Sequence, residues 1–219
     1  MKKCVVLLSG GLDSSATLYL ARKKGFTPHA LTFNYGQRHK KEIECAKKIA
    51  RSARVPHIVL KIPFPGKMSS LLDENKKIPS GRGIKKIKNS IPSTYVPARN
   101  LVFLSMAFGF AENIKAEAVF IGAHTEDYSG YPDCRRAFFN AFKKAVNAGM
   151  KSGKTIKLHT PLLGKGKKEI IKTALRVGTP LRHTWSCYKG LKKPCGTCDS
   201  CFFRSRAFKE LKMKDPYYA

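Results

Sequence analysis

The sequence predicts an α/β fold in which a parallel sheet is flanked by helices, followed by a small cysteine-bearing appendage at the C-terminal end. Short apolar runs typical of strands alternate with helix-like segments along most of the chain. A turn rich in glycine and serine joins the first strand to the first helix, and four cysteines are grouped near the end. We place the main domain at residues 1–183 and the appendage at residues 184–219, and expect the two to form a single globular unit.

The individual elements follow from the periodicity of apolar residues. Strands are predicted at Cys4–Leu8, His29–Phe33, His57–Ile62 and Ala118–Ile121. Helices are predicted at Ser14–Lys24, Lys40–Ala53, Asn100–Asn113, Arg135–Asn147, Lys167–Arg176 and Phe202–Leu211. The stretch from Pro63 to Pro97 is rich in proline, glycine and basic residues and follows neither period, which indicates a lid, a binding loop or a disordered segment.

The charge of the chain is strongly positive, with 43 Lys and Arg against 14 Asp and Glu and a formal net charge of +29. Such a field attracts polyanions and makes nucleic acid a possible partner. The lysines, however, are scattered as short pairs over several predicted elements, as expected for solvated faces. We therefore predict no obligate nucleic-acid partner.

Cysteine usage and hydropathy indicate a reduced, cytoplasmic chain without a membrane segment. Seven cysteines are an odd number, which makes a disulfide framework improbable. Residues 1–8 imitate the start of a signal peptide, but the apolar run ends at Ser9. The longest apolar stretch, Leu101 to Phe110, is about half as long as a membrane span and is expected to be a buried helix.

Residues 8–15, with the sequence L-S-G-G-L-D-S-S, lie between the first strand and the first helix. Gly10 and Gly11 can adopt backbone angles that let several N–H groups converge at a helix N-terminus, where a phosphate is favoured. Asp13 stands where a magnesium ion on a polyphosphate needs a carboxylate. Neither the pattern for terminal phosphoryl transfer nor that for dinucleotides is present. The alternative is an ordinary helix cap.

The four clustered cysteines can close a tetrahedral zinc site, because zinc accepts four thiolates and the short spacings let one turn present three of them. The predicted ligands are Cys187, Cys195, Cys198 and Cys201. An iron–sulfur cluster is the first alternative, but position 205, where a further ligand is expected, is serine. Four unligated thiols are the second. A closed Cys4 site stabilises the fold and does not act as a Lewis acid.

The loop resembles the pyrophosphate-binding loop of the N-type ATP pyrophosphatases, the PP-loop superfamily. This resemblance implies a Rossmann-like sheet of the adenine nucleotide alpha hydrolase (HUP) class, and a reaction in which an oxygen is adenylated and pyrophosphate is released. It also implies a set of residues in contact with ATP: Leu8, Ser9, Gly10, Gly11, Leu12, Asp13, Ser14, Ser15, Ala16, Thr17 and Leu18.

Three further strings, at residues 94–100, 122–135 and 184–201, resemble the 7-cyano-7-deazaguanine synthases, the QueC family. Together with the loop, the similarity extends over nearly the whole chain. It implies an ATP-dependent C–N ligase that converts 7-carboxy-7-deazaguanine and ammonia to the nitrile preQ0, through an adenylated acid and an adenylated amide. It also implies a homodimer and a role in queuosine or archaeosine precursor synthesis.

The resemblance suggests roles for side chains outside the loop. Asp13, Lys167 and Arg99 are the candidate catalytic residues, with Lys167 on the phosphates and Arg99 on phosphate or the substrate carboxylate. The candidate substrate-binding residues are Arg99, His124, Glu126, Asp127, Tyr131 and Asp133. Simpler alternatives are a solvated lysine at a helix start, a salt bridge of Arg99, a structural histidine, and turn chemistry for Asp133.

Two other functional classes stay open. A PP-loop tRNA thiolase shares the adenylating loop and often a cysteine-rich zinc element, but it needs a sulfur-carrying group. Cys134 is the candidate for that role once four cysteines bind metal and Cys4 and Cys45 are core thiols. A non-catalytic zinc-ribbon protein that binds nucleic acid is the second class, and it leaves the ATP loop without a purpose.

Overall fold

The computed structural model describes residues 2–82, 91–124 and 131–217. Five parallel strands form one sheet in the order β3-β2-β1-β4-β5. Their bounds are β1 Lys2–Leu7, β2 Phe26–Asn34, β3 His57–Lys61, β4 Ala118–Phe120 and β5 Lys157–His159. In the centre of the sheet, Val6 of β1 is in register with Ala30 on one side and Phe120 on the other. The predicted α/β fold with a parallel sheet is confirmed.

The helices of the described residues are α1 Leu12–Lys23, α2 Lys41–Ala53, α3 Arg99–Asn113, α4 Arg136–Gly149, α5 Lys167–Arg176 and α6 Asp199–Glu210. Short 3₁₀ turns lie at Pro132–Cys134 and Leu181–His183. The predicted helices agree with these bounds to within three residues at each end, and α5 agrees at both ends. In the part of the chain that the structure describes, no helix combines the length and the apolar character needed to cross a membrane.

The largest differences from the predicted strands concern β5 and β2, whereas the bounds of β1, β3 and β4 differ by at most two residues. β5 was not predicted, because three residues with lysine and histidine at the ends give no apolar run. Its position is fixed by pairing with β4, which a local pattern cannot show. β2 begins three residues earlier than predicted. Pro28 is compatible with this strand because pairing with β3 starts only at Ala30.

The two faces of the sheet bury separate parts of the core. Val5 and Leu7 of β1 point to the face covered by α3 and α4, whereas Cys4, Val6 and Leu8 point to the face covered by α1 and α2. This alternation follows from the two-residue period of a strand. Cys4 is a buried core thiol, as predicted, and its burial raises its pKa to about 12.

The described part of the stretch between Pro63 and Pro97 is packed against the domain. Ser69, Ser70 and Thr94 are fully buried, and Leu71 and Val96 belong to the core on the α3 side of the sheet. Two contacts tie this segment to the C-terminal cysteine region: Ser80 forms an isolated bridge with Cys198, and Arg82 pairs with Asp199. These contacts place the segment beside the cysteines, and residues 83–90 lie outside the described ranges.

Candidate active site and metal centre

The loop between β1 and α1 lies at the carboxyl end of the central strand, and its first glycine is required by packing. Gly10 has φ +82°, and a Cβ atom there would lie 2.2 Å from the carbonyl oxygen of Glu42 and 2.6 Å from the backbone nitrogen of Ala46. The loop therefore rests directly on helix α2. On the opposite side, the backbone N–H of Trp185 donates to the Gly10 carbonyl at 2.9 Å.

The serines of the loop hold the first turn of α1 in place. The backbone N–H of Gly11 donates to Ser9 Oγ at 3.2 Å, and the Ser9 and Ser14 hydroxyls are 3.0 Å apart. Ser9 and Ser14 also line the cavity described below. Ser15 is fully buried, and its hydroxyl donates to the Gly11 carbonyl at 2.8 Å. The first N–H groups of α1 have no partner within the helix, as in any helix N-terminus.

The remaining side chains of the predicted ATP segment pack in the core, and Leu8 and Leu12 also line the cavity described below. Leu8 and Leu18 belong to the core between the sheet, α1 and α2, and Leu12 and Ala16 to the core between α1, α5 and α6. Thr17 is buried and its hydroxyl donates to the Asp13 carbonyl at 2.9 Å. These side chains anchor the loop and the first turns of α1 to the core.

Asp13, Lys167 and His124 form a charged cluster next to the loop. Lys167 Nζ lies 2.9 Å from each carboxylate oxygen of Asp13, His124 Nε2 lies 3.2 Å from Asp13 Oδ2, and Lys167 Nζ and His124 Nε2 are 3.0 Å apart. Burial alone would raise the pKa of Asp13, but Lys167 and His124 together lower it below its ordinary value. Asp13 is therefore an ionised carboxylate.

Glycine at position 122 is what permits this cluster. A Cβ atom on Gly122 would lie 2.9 Å from the carbonyl carbon and oxygen of Asp13 and from the nitrogen of Ser14. The chain leaving β4 thus touches the first turn of α1, and His124 follows two residues later. Lys167 arrives from the first position of α5, so three distant segments meet at Asp13.

A cavity of about 260 Å³ opens beside this cluster. Ten of the candidate residues line it: Leu8, Ser9, Gly11, Leu12, Asp13, Ser14, Arg99, His124, Tyr131 and Lys167. Its wall continues along the end of β1 at Leu7 and along the end of β2 at Leu31, Thr32 and Phe33. The carboxyl end of the strands is where ligands bind in open α/β sheets.

Arg99 stands on the cavity wall at the start of α3, directly after Ala98, which has the left-handed φ of +57°. Its Nη1 donates to the Tyr35 hydroxyl at 3.3 Å, and its guanidinium lies 5.8 Å from the centre of the Tyr35 ring. Burial works against its charge, but the surrounding acidic groups, among them Tyr35, Tyr131 and Asp133, outweigh this and raise the pKa of Arg99. Within the described ranges it makes no ion pair with a carboxylate, unlike the predicted alternative of a helix-start salt bridge.

The other candidate substrate residues differ in position. The hydroxyl of Tyr131 lies 2.7 Å from Thr94 Oγ1, and the residue lines the cavity. Asp133, in the turn Pro132–Cys134, is buried against the start of α3. Its carboxylate accepts a hydrogen bond from the backbone N–H of Asn100 at 2.9 Å, a helix-capping contact of the kind expected from the structural alternative. Glu126 and Asp127 lie outside the described residues.

Sequence reasoning missed several residues of the cavity wall: Tyr35, Gln37, His39, Glu42 and Trp185. Glu42 is the most notable, because burial raises its pKa to about 7, although the neighbouring Arg99 lowers it. It belongs to the first turn of α2, a helix that the sequence marks only as basic and amphipathic. The available signal was its position after β2, at the carboxyl end of the sheet.

The four clustered cysteines meet in space. The sulfur atoms of Cys187, Cys195, Cys198 and Cys201 lie within 4.8 Å of one another. A tetrahedral zinc ion with Zn–S bonds of 2.3 Å needs sulfur atoms about 3.8 Å apart, and the Cys195 and Cys201 sulfurs are 4.0 Å apart. Backbone N–H groups also donate to the sulfurs, as those of Lys189 and Cys195 do to Cys187 at 3.4 and 3.3 Å. The donor set fits a closed Cys4 metal site.

Trp185 connects the cysteine cluster to the loop. Its ring is 1% exposed, and its indole N–H donates to the Cys187 carbonyl at 2.6 Å. Its backbone N–H donates to Gly10, as described above. Behind it, Arg204 of α6 donates to Thr184 Oγ1 at 2.8 Å and pairs with Asp215 at 2.6 Å. The four-cysteine cluster and the candidate active site are therefore parts of one packed arrangement.

Comparison with known proteins agrees with these features. Residues 3–212 match the family described as "Queuosine biosynthesis protein QueC". A 7-cyano-7-deazaguanine synthase of Desulfitobacterium hafniense is 50% identical over 99% of this chain and 92% of its own length. The corresponding enzyme of Thermoplasma volcanium is 46% identical over 98% of this chain and 90% of its own length.

Among solved structures, a 4-thiouridine synthetase in complex with RNA and bound ATP superimposes with a TM-score of 0.52. It is 22% identical, and the match covers 99% of this chain and 52% of that chain. At this identity the likeness shows the fold alone. The near full-length match to the family and the high identity to its members decide the assignment: the chain belongs to the QueC family.

Proposed function

We propose that this protein converts 7-carboxy-7-deazaguanine and ammonia to 7-cyano-7-deazaguanine, with ATP cleaved to AMP and pyrophosphate. The observation that carries the proposal is the 50% identity to a 7-cyano-7-deazaguanine synthase over 99% of the chain. The geometry supports it, because one cavity combines a loop suited to phosphate, a charged cluster and a buried arginine. The product is a precursor in queuosine biosynthesis, and the sequence resemblance extends this to archaeosine.

The phosphate end of the cavity is the loop between β1 and α1. Backbone N–H groups at the start of α1, together with the hydroxyls of Ser9 and Ser14, are the donors for the pyrophosphate of ATP. Ser15, Ala16, Thr17 and Leu18 are proposed to act by holding the first turns of α1. The dipole of α1 favours the negative charge that develops on the leaving pyrophosphate.

Asp13 and Lys167 are proposed to provide the positive charge that ATP requires, Asp13 by holding magnesium and Lys167 by its own ammonium group. Asp13 is ionised and stands at the loop, so it is the residue that would hold magnesium, which neutralises charge on the phosphates when bound. Both of its oxygens contact Lys167. If Asp13 held magnesium, Lys167 would give up these contacts, and its ammonium group would become available to bind the phosphates.

Arg99 is proposed to bind the carboxylate of the substrate. Its planar group can form two parallel hydrogen bonds with a carboxylate, and it makes no such pair within the described residues. Tyr131, on the same wall, offers a ring for stacking on the deazaguanine. Holding the carboxylate beside the α-phosphate replaces a bimolecular encounter by an aligned one.

The reaction uses one activation site twice. A carboxylate oxygen is a poor leaving group, so it first attacks the α-phosphate of ATP and becomes part of AMP. Ammonia then displaces AMP to give an amide. The amide oxygen attacks a second ATP, and loss of this AMP and of the protons on nitrogen gives the nitrile. Each step requires the same alignment of an oxygen with the phosphate loop.

The four cysteines are proposed to bind one structural zinc ion. A closed Cys4 site leaves no open position for substrate, so its contribution is to the fold. Trp185 contacts both Cys187 and Gly10, so ordering of the cysteine cluster by zinc also stabilises the position of the phosphate-binding loop. We also propose that residues 184–219 form a small metal-binding appendage packed on residues 1–183, and the contacts of Trp185 and Arg204 support this.

The protein is proposed to be a homodimer. Helix α3 presents apolar and small side chains outwards: Leu101 and Met106 are 45% and 44% exposed, and Gly109 is exposed between them and the end of the helix. A second copy of α3 would cover this face. Light scattering tests this: Met106→Glu should give a monomer, whereas Leu175→Glu, at a residue 41% exposed on α5, should leave the dimer intact.

The tRNA thiolase alternative is weakened by the surroundings of Cys134. This thiol is 9% exposed, and its burial and the nearby Asp133 raise its pKa to about 12. A thiol with such a pKa is a poor nucleophile at neutral pH. The other cysteines are in the metal cluster or the core.

The experiment that tests the proposal uses zinc-replete protein with ATP, Mg2+, ammonium and 7-carboxy-7-deazaguanine, followed by mass spectrometry of bases and nucleotides. We expect the nitrile, with AMP formed in a two-to-one ratio to it, and none of either with Asp13→Ala. Absence of base conversion, together with AMP release on addition of unmodified tRNA and a sulfur donor, would instead support the thiolase.

A further inference from the structure

Glu42 is a partly buried acid that the reaction outlined above leaves without a role. It lines the active-site cavity, and its carboxylate is within electrostatic reach of Arg99 and Tyr35, which line the same cavity. No described residue donates a hydrogen bond to this carboxylate or forms an ion pair with it. This carboxylate therefore lines the cavity with its hydrogen-bonding capacity unused by the protein, which points to a ligand that supplies a donor or a positive charge.

The position of Glu42 relates it to the reacting carbon. Its backbone carbonyl touches Gly10, so the first turn of α2 lies against the phosphate-binding loop. The α-phosphate, and with it the activated acyl carbon, must lie beside the same loop. The incoming nucleophile therefore has to be bound near this turn.

We propose that Glu42 binds the ammonium ion and accepts its proton, so that ammonia is released next to the adenylated carboxyl group. The inference rests on the proposed function. It explains why the cavity carries two opposite charges that do not pair: Arg99 faces the substrate carboxylate and Glu42 faces ammonium. In neutral water ammonia is almost entirely ammonium, whose nitrogen has no free electron pair, so a base is required before attack.

The step balances in atoms and charge. One N–H bond of ammonium breaks and its proton moves to the Glu42 carboxylate. The nitrogen electron pair forms the C–N bond, and the bond from carbon to the AMP oxygen breaks, with AMP leaving as the anion. The nitrogen then loses a second proton to water, and Glu42 returns its own proton to solvent. No oxidant or reductant takes part.

The electrostatic surroundings of Glu42 agree with this role. Its pKa of about 7 makes it a stronger base than an exposed glutamate, and it still ionises near neutral pH. The titratable and charged groups around it come from its own helix and from three other segments: Tyr35, His39, Cys45, Arg99 and Cys187.

The test is Glu42→Gln, which keeps the shape of the side chain but removes its charge and basicity. We expect the KM for ammonium in nitrile formation to rise about tenfold to a hundredfold, with a lower kcat. Raising the pH should rescue the variant, because free ammonia then replaces the deprotonation step. Glu44→Gln, an exposed acid on the same helix, is the matched control and should keep the wild-type KM.

A partial reaction separates this inference from the proposed function. Exchange of labelled pyrophosphate into ATP, dependent on 7-carboxy-7-deazaguanine and without ammonium, reports adenylation of the acid alone. Glu42→Gln should keep this exchange, and Glu42→Asp, with its shorter carboxylate, should have an intermediate KM for ammonium.

Three outcomes would overturn the role of Glu42 while leaving the synthase intact: an unchanged KM for ammonium, a loss of exchange equal to the loss of nitrile, or a raised KM for the acid alone. The last would make Glu42 a reader of the deazaguanine base. Failure of the wild-type protein to exchange pyrophosphate or to form nitrile would count against the proposed function itself.

Discussion

Replacing Gly10 by alanine tests whether the phosphate-binding loop depends on its contact with helix α2. Two costs add at this position. An L-residue at φ +82° costs about 1–2 kcal/mol, and a Cβ atom 2.2 Å from the Glu42 carbonyl oxygen and 2.6 Å from the Ala46 nitrogen has to displace backbone. Overpacking of this kind costs about 1–3 kcal/mol. The sum is about 2–5 kcal/mol, and the loop must move away from α2.

Gly25 provides the matched control, since it has the same φ of +82° but nothing within 4 Å of an added Cβ. Gly25→Ala should lose only the stability that the left-handed backbone conformation costs an L-residue, about 1–2 kcal/mol. Thermal unfolding should therefore show a larger decrease in Tm for Gly10→Ala than for Gly25→Ala, at about 2–4 °C per kcal/mol. Titration with ATP should show weaker binding for Gly10→Ala alone. Equal losses of Tm in the two variants, or unchanged ATP affinity in Gly10→Ala, would refute the reasoning.

Further predictions concern the charged cluster and the metal centre. The folded-state pKa of Asp13 lies below its ordinary 3.8, so the stability it contributes is complete above that pH and is lost as the pH falls through the folded-state value. Lys167→Met should therefore cost about 1–3 kcal/mol at neutral pH and less at about pH 3. Urea unfolding at the two pH values checks this, with the exposed Lys168→Met as control, and an equal cost at both would contradict it. Cys198→Ser should reduce bound zinc from one ion per chain to a small fraction and lower the Tm, whereas Cys4→Ala, in the core, should keep full zinc by elemental analysis; full zinc in Cys198→Ser would argue against the four-cysteine site. Chelation of the wild-type metal should weaken ATP binding through Trp185 and Gly10, and calorimetry that finds the same ATP affinity with and without metal would exclude that coupling.

Features of the site that depend on local chemistry could be predicted from the sequence. The turn around Gly10 and Gly11 follows a strand and opens a helix, which is enough to predict an anion site. The spacing of Cys195, Cys198 and Cys201 brings three thiols together within one turn, so the cysteine cluster could also be predicted from the sequence.

Features that arise from tertiary packing could not be predicted in this way. Lys167 meets Asp13 across 154 positions of sequence, and only the resemblance to a family brought the two together beforehand. Glu42 becomes a cavity residue because Gly10 allows α2 to touch the loop. Trp185 contacts Gly10 from the other side only because the C-terminal segment folds back onto the loop. β5 exists only through its pairing with β4.

The central claim is that a single site adenylates first the carboxyl oxygen and then the amide oxygen of the same substrate. The most direct measurement uses 7-carboxy-7-deazaguanine with both carboxyl oxygens labelled with 18O, followed by mass spectrometry of the nucleotides. The account predicts that each AMP carries one labelled oxygen and that pyrophosphate carries none. Labelled phosphate, labelled pyrophosphate, or label in only half of the AMP would contradict it.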